Sequence, residues 1–158
     1  MTTRHILSIY LLLLGLLLAC KAPRTTPAAV QYASSNAPGT VNVQANGFGS
    51  TTLQIERNAR VKAFETILFR GLPSSEFTAL RLPMIENESE ARSRHSSFFK
   101  KFFEEDDCNR FVTAISRLDN KPVKTTDHSK TMAYSLTINY EALRRHLEQS
   151  GVLRKFGY

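Results

Sequence analysis

The sequence predicts an α+β domain of two layers: a small, mainly antiparallel sheet of about three to four strands packed against two to three helices. Three observations carry that expectation. Met132, Tyr134, Leu136, Ile138 and Tyr140 alternate with Thr131, Ala133, Ser135, Thr137 and Asn139, the period of a strand with one buried face. Thr51 to Gly71 holds apolar residues at helical spacing between a start signal and a stop signal. A further helical stretch, Asn87 to Phe103, ends in four phenylalanines within six residues, an apolar face suited to a core, with a partner-facing patch or an aromatic ligand box as the alternatives.

The amino end precedes that domain. From Ile6 to Ala19 the chain is apolar except for Ser8, after a start carrying Arg4 and His5. A basic start, a short apolar stretch and a small residue describe a secretory signal, here residues 1–19. As a helix, these fourteen residues reach only ~21 Å, short of the ~30 Å hydrocarbon core of a bilayer. The ending Leu17–Leu18–Ala19–Cys20 resembles a bacterial lipobox, which implies diacylglyceryl transfer to the Cys20 thiolate and Cys20 as the first mature residue. Several acyl chains on one cysteine, palmitate among them, would hold the protein at a membrane, where a single chain holds only marginally.

Lys21 to Thr40 contains three of the six prolines and is otherwise mostly Ala, Ser and Thr. It lacks the apolar surface to offset its ordering entropy, so residues 20–40 are expected to form a lipid-anchored flexible tether and residues 41–158 the single folded domain. Lys21, where an acidic residue would favour inner-membrane retention, points by the same resemblance to the outer membrane, with the domain facing the periplasm.

Along the domain, Val41–Asn46 alternates apolar and polar residues and reads as a strand that Gly47–Phe48–Gly49 interrupts. Thr51 and Gln54 form a capping box, so a helix starts at about Thr52, and Gly71 with Pro73 ends it at Arg70. Ala59, Ala63 and Ile67 make one stripe of that helix; Val61, Phe64 and Leu68 make the next. Phe77–Ile85 reads as an extended edge segment broken by Pro83. Asn87 and Glu90 cap a second helix to about Phe103, with His95, Phe98, Phe99, Phe102 and Phe103 on its apolar face. The acidic run Glu104–Asp107 opposes a helix carboxyl terminus and is expected in a turn past it. Phe111–Leu118 and Val123–Thr126 read as strands, Thr126–Ser129 as a turn, and Glu141–Gln149 as a helix stopped by Gly151. Val152, Leu153 and Phe156 can then dock on the core.

Charge narrows the function classes. Lys and Arg total 21 against 14 Asp and Glu, yet all the acidic residues follow Thr40, leaving the domain mildly basic. That balance, without a basic stripe interleaved with aromatics, argues against nucleic acid. A basic face drawn from Arg92, Arg94, Lys100, Lys101, Arg144, Arg145, Arg154 and Lys155 permits an anionic glycan or lipid headgroup as ligand. Cys108 has no partner once Cys20 is acylated, and Asp106–Asp107 beside it would raise its pKa, so it reads as a structural thiol. Gly47–Phe48–Gly49 lacks the third glycine of a dinucleotide fingerprint, and Glu104–Asp107 lacks the spaced oxygens of a calcium loop. His95, His128 and His146 accompany no nucleophile or metal-ligand motif. The expectation is a protein with no catalytic, cofactor-binding or metal-binding residues, and Cys20 as its one modified site.

Two motifs add a family resemblance. Gly47–Phe48–Gly49 before a helix with Ala59 and Ala63, then a late strand feeding a Leu143/Leu147 helix, resembles lipoprotein-20-like and FlgT amino-terminal-like envelope domains. Asn139–Tyr140, Leu143–Arg144, Leu147–Glu148, Gly151 and Lys155–Phe156–Gly157 resemble the ends of small Bacteroidota outer-membrane lipoproteins. The resemblance implies a non-catalytic interaction or assembly module of the envelope, partnered by the membrane and by other envelope proteins. A binder of an anionic envelope component is the alternative, and a hydrolase comes third.

Overall fold

A computed structural model describes residues 30–34, 37–72, 81–125 and 129–154. The expected signal segment, Cys20, the turn residues 126–128 and Phe156 lie outside these. The described chain forms a five-stranded, mainly antiparallel open sheet with four helices, the α+β class read from the sequence. The strands are β1 (Val30–Ser34), β2 (Thr40–Gly49), β3 (Val112–Arg117), β4 (Val123–Lys124) and β5 (Lys130–Asn139). Sheet order is β1-β2-β5-β3, with β4 also paired to β5. The helices are α1 (Thr52–Glu65), α2 (Glu88–Arg94), α3 (Ser96–Phe99) and α4 (Tyr140–Gln149).

β2 and β5 pair over their full length, from Thr40 opposite Asn139 to Gly49 opposite Lys130. Their alternation works as read. Val41, Val43, Ala45, Met132, Tyr134, Leu136 and Ile138 are buried on one face, and Asn42, Gln44, Ser135 and Thr137 occupy the other. On the open face the Ser135 hydroxyl donates to Asn42 Oδ1 at 2.9 Å, a cross-strand bond that helps fix the register.

The sequence reading is corrected in three places. First, Val30–Ser34, assigned to the tether, is strand β1, and Val30 is buried against the core. Only two apolar residues alternate there within a Pro- and Ala-rich run, so no local pattern betrays the strand. It exists because β2 offers it a ladder, Val30 opposite Ala45 and Gln31 opposite Gln44. Among the described residues the domain therefore begins at Val30, not residue 41, and the segment after Cys20 is about half the expected length. Secondly, Gly47–Phe48–Gly49 continues β2. The strand runs through Gly47 and ends at Gly49; Gly47 lets the helix backbone lie directly on it. Thirdly, the helix expected from Asn87 to Phe103 breaks at His95, whose φ of −120° and ψ of 40° leave the helical region. It resumes as α3 and widens into a π-helical turn, Lys100–Glu104.

The caps follow the sequence. Thr51 Oγ1 accepts from Gln54 N at 3.3 Å, and Gln54 Oε1 accepts from Ser50 N at 3.1 Å, one residue outside the usual reciprocal partner. Asn87 Oδ1 accepts from Glu90 N, and Asn139 Oδ1 caps α4 through Ala142 N at 2.9 Å. α1 passes into a π-helical turn, Thr66–Arg70, which Gly71 closes with φ of 75°, a region L side chains rarely adopt.

The phenylalanine face is core. Phe99, Phe102 and Phe103 are buried and Phe98 half-buried; Phe102 meets Phe64 of α1 edge-on at 5.5 Å. Val152 and Leu153 pack half-buried against this core, as their sequence predicts.

Candidate functional site

A cleft of about 940 Å3 lies at the end of the sheet where β5 passes into α4. Four arginines line it: Arg81, Arg94, Arg144 and Arg154. Glu86 and Glu90 are its acids, so cations outnumber anions two to one, with His95 half-buried at its side. Apolar lining comes from Leu82, Met84, Val152 and Leu153, and Tyr140 supplies an aromatic face.

Each arginine is delivered by a different element. Arg81 is held by a bridge in which Leu72 N donates to Arg81 O at 2.8 Å and Arg81 N donates to Leu72 O at 3.0 Å. Its guanidinium stacks 4.9 Å from the Tyr140 ring. Arg94 ends α2 and pairs with Glu90 at 2.6 Å, one helical turn back. Arg144 lies on the first turns of α4 and pairs with Glu148 at 3.1 Å. Arg154, exposed, follows the docked Val152–Leu153. Planar guanidinium groups in a partly apolar cleft favour carboxylate or phosphate oxygens, because the fork geometry matches them and the walls weaken water's competition.

Of the basic residues named from the sequence, the cleft gathers Arg94, Arg144 and Arg154 only. Arg92 lies elsewhere, bonded to Glu65 and Glu88 and set over the rings of Phe69 and Phe103, where it stitches α2 to α1. Lys100, Lys101 and Arg145 are exposed on other surfaces, and Lys155 lies outside the described residues. Sequence reading missed Arg81, because long-range contacts bring that extended segment to α4: the bridge to Leu72, Ile85 N donating to Leu68 O at 2.8 Å, and the stacking on Tyr140.

The remaining titratable groups have structural surroundings. Cys108 is fully buried, and burial followed by the charge of Asp106 pushes its thiol up to about 12, which leaves it protonated and inert. Arg60, buried on α1, bonds Glu56 at 2.7 Å and Asp106 at 2.8 Å; Arg57 donates to the carbonyls of Phe103 and Glu104. These two arginines explain the acidic run: its residues and carbonyls receive cations from α1, although Asp106 sits at φ of 63°. Among the described residues no group of three or more His, Cys, Asp and Glu side chains is placed to hold a metal ion. His128 lies outside them.

His146 packs between Phe98 and Phe111, its Nδ1 3.2 Å from the Arg110 guanidinium. Because Arg110 can only donate, Nδ1 accepts and the ring is neutral. Burial lowers its pKa, Arg110 and Lys101 add to the effect, and Asp107 opposes it. The stability this gives is full above the ordinary imidazole value of 6.5 and is lost as pH falls below it. Urea midpoints should accordingly fall between pH 7 and pH 5.5, and the fall should shrink in His146→Gln. An unchanged slope in that variant would assign the effect to other groups.

Comparison of the chain with family models, curated proteins and solved structures found no match.

Proposed function

We propose that this chain is an outer-membrane lipoprotein, anchored through acylated Cys20, that serves as a non-catalytic interaction module of the bacterial envelope. The observation that carries the interaction half is the arginine-lined cleft, whose mixed cationic and apolar lining suits an acidic segment of another envelope protein. What supports the anchored half is sequence: a basic start, a short apolar stretch, Ala19 and then Cys20. The resemblance to small envelope lipoproteins points the same way.

The cleft binds by charge pairing combined with apolar contact. The four arginines receive carboxylates, while Leu82 and Leu153 cover the partner's apolar residues. An anionic glycan is the second reading, favoured by the same four arginines, and it would leave the apolar lining unused.

The test is capture from solubilised envelopes. With the lipidated protein as bait, one protein should be retained reproducibly, and Arg144→Glu/Arg154→Glu should lose it by at least roughly tenfold, since charged pairs in a desolvated site contribute on the order of 2 kcal/mol. Leu82→Ser should weaken capture as well. Retention that survives both changes, or the absence of any reproducible partner, would remove this reading. Mass spectrometry of the mature amino terminus checks Cys20 independently.

A further inference from the structure

The two ends of the sheet differ in chemistry. The cleft occupies the end where β5 runs into α4. At the other end lie the Asn46–Gly49 part of β2, β4, the start of β5 and the amino terminus of α1. Register fixes this: Lys130 pairs with Gly49 and Val123 with Thr131, while β1 starts mid-sheet, with Val30 opposite Ala45 and so level with Tyr134, and runs toward the cleft end. The ten-residue β5 separates the ends by about 33 Å at strand rise.

Among the described residues, three of the five most exposed large apolar side chains lie toward this second end. Leu53 is 73% exposed, Val123 60% and Leu118 47%; Leu118 is held there by its N–H to Ala133 O at 2.9 Å. Basic residues neighbour Leu118 and Val123 along the chain. From Arg117 to Lys130 the sequence carries Arg117, Lys121, Lys124 and Lys130 against Asp119 and Asp127. Asp119 is occupied, accepting from Ala133 N at 2.8 Å. Exposed apolar tips beside lysines are the composition of a surface that meets anionic headgroups, where apolar burial and charge act together.

Because β1 starts mid-sheet and runs toward the cleft end, the chain from the anchor reaches it from the side of this second end. Cys20 to Val30 is ten residue steps, so the acylated sulfur and the start of β1 are separated by at most about 36 Å. Because β1 belongs to the sheet, the reach is about half that of a twenty-residue tether. We propose that this end of the sheet rests on the bilayer holding Cys20, through Leu53, Leu118, Val123, Lys121, Lys124 and Lys130. The cleft is thereby turned away, toward partners beyond the membrane surface. The inference rests on the anchored reading of Cys20 and adds an orientation to it.

The test reconstitutes the full mature, acylated protein into vesicles containing about 30% anionic lipid. Leu53→Cys or Leu82→Cys carries an environment-sensitive fluorophore, which labels those sites selectively because Cys108 is buried with its thiol pushed up to about 12. A quencher attached to the lipid chains should quench position 53 several-fold more strongly than position 82. Each of Lys121→Gln, Lys124→Gln and Lys130→Gln should lower the surface-bound population relative to the lifted one by roughly fivefold, with the protein still in the membrane fraction. Equal quenching at 53 and 82 in protein that mass spectrometry shows acylated would overturn the orientation and leave the anchor standing. Shielding of position 53 without lipid, accompanied by crosslinks between copies through Lys121, would assign the surface to self-association and overturn it too. Absence of an acyl group on Cys20 would sink the anchored reading itself.

Discussion

Gly47→Ala should destabilise the domain by about 3 kcal/mol or more, a large part of the ~5–15 kcal/mol that holds a domain of this size. A Cβ at Gly47 would overlap the Ile55 carbonyl oxygen, and would lie 2.8 Å from the Ile55 carbonyl carbon and 3.0 Å from Ala59 N. All three are helix backbone, so no side-chain rotation relieves the clash. Either α1 lifts from β2 or the strand shifts, and both open the contact in which Val43, Ala45, Ile55 and Ala59 are buried. Gly151→Ala provides the contrast: nothing lies within 4 Å of its added methyl, and only the φ of +71° resists, at about 1 kcal/mol. Urea unfolding of both variants measures the difference. A Gly47→Ala midpoint near that of the parent protein would mean that α1 does not lie on β2 as described.

Phe102→Ala should cost about 3–5 kcal/mol, the range for removing a fully buried aromatic ring. Phe102 joins three parts of the chain. It meets Phe64 of α1 edge-on at 5.5 Å, Phe103 of its own turn at 5.0 Å, and Phe111, before β3, at 6.1 Å. Phe98 stacks on it at 5.6 Å. Neighbours on separate elements cannot collapse into the space together, so most of the cavity should persist and raise the cost. Phe102→Leu, which keeps much of the volume, should cost less than half as much. Exposed Leu82→Ala, on the same scale, should change stability by no more than ~0.5 kcal/mol, since 72% of that side chain's surface already meets water. Phe102→Ala and Phe102→Leu midpoints that coincide would show a core able to close around the loss.

Orientation on the membrane and recognition of a partner would use opposite ends of one sheet. A change at Lys121 or Lys124 should therefore leave capture by the cleft intact in detergent, and a change at Arg144 should leave the headgroup contact intact. Sites separated by about 33 Å, with no shared side chain, are expected to behave additively.

The sequence by itself determined what depends on near neighbours along the chain. Alternation in 131–140 named the buried face of β5, and the Thr51–Gln54 and Asn87–Glu90 signals set two helix starts to the residue. The phenylalanine stripe marks a face to be covered, because side chains three and four apart share a helix face; that core and not a partner covers it is decided by packing on Phe64 and Phe111. What only tertiary structure decided depends on partners distant in sequence. β1 is a strand because β2 pairs with it; its own residues are weak. Gly47 continues β2 because α1 needs its missing side chain. Arg60 is buried because Asp106 waits 46 residues away. The cleft follows the same rule: Arg94 and Arg144 were visible as charges, but Arg81 joined them through contacts distant in sequence, its bridge to Leu72 and its stacking on Tyr140. Local patterns record hydrophobic period and capping; which surfaces meet is fixed by the sum of long-range contacts, and no single stretch of sequence holds that sum.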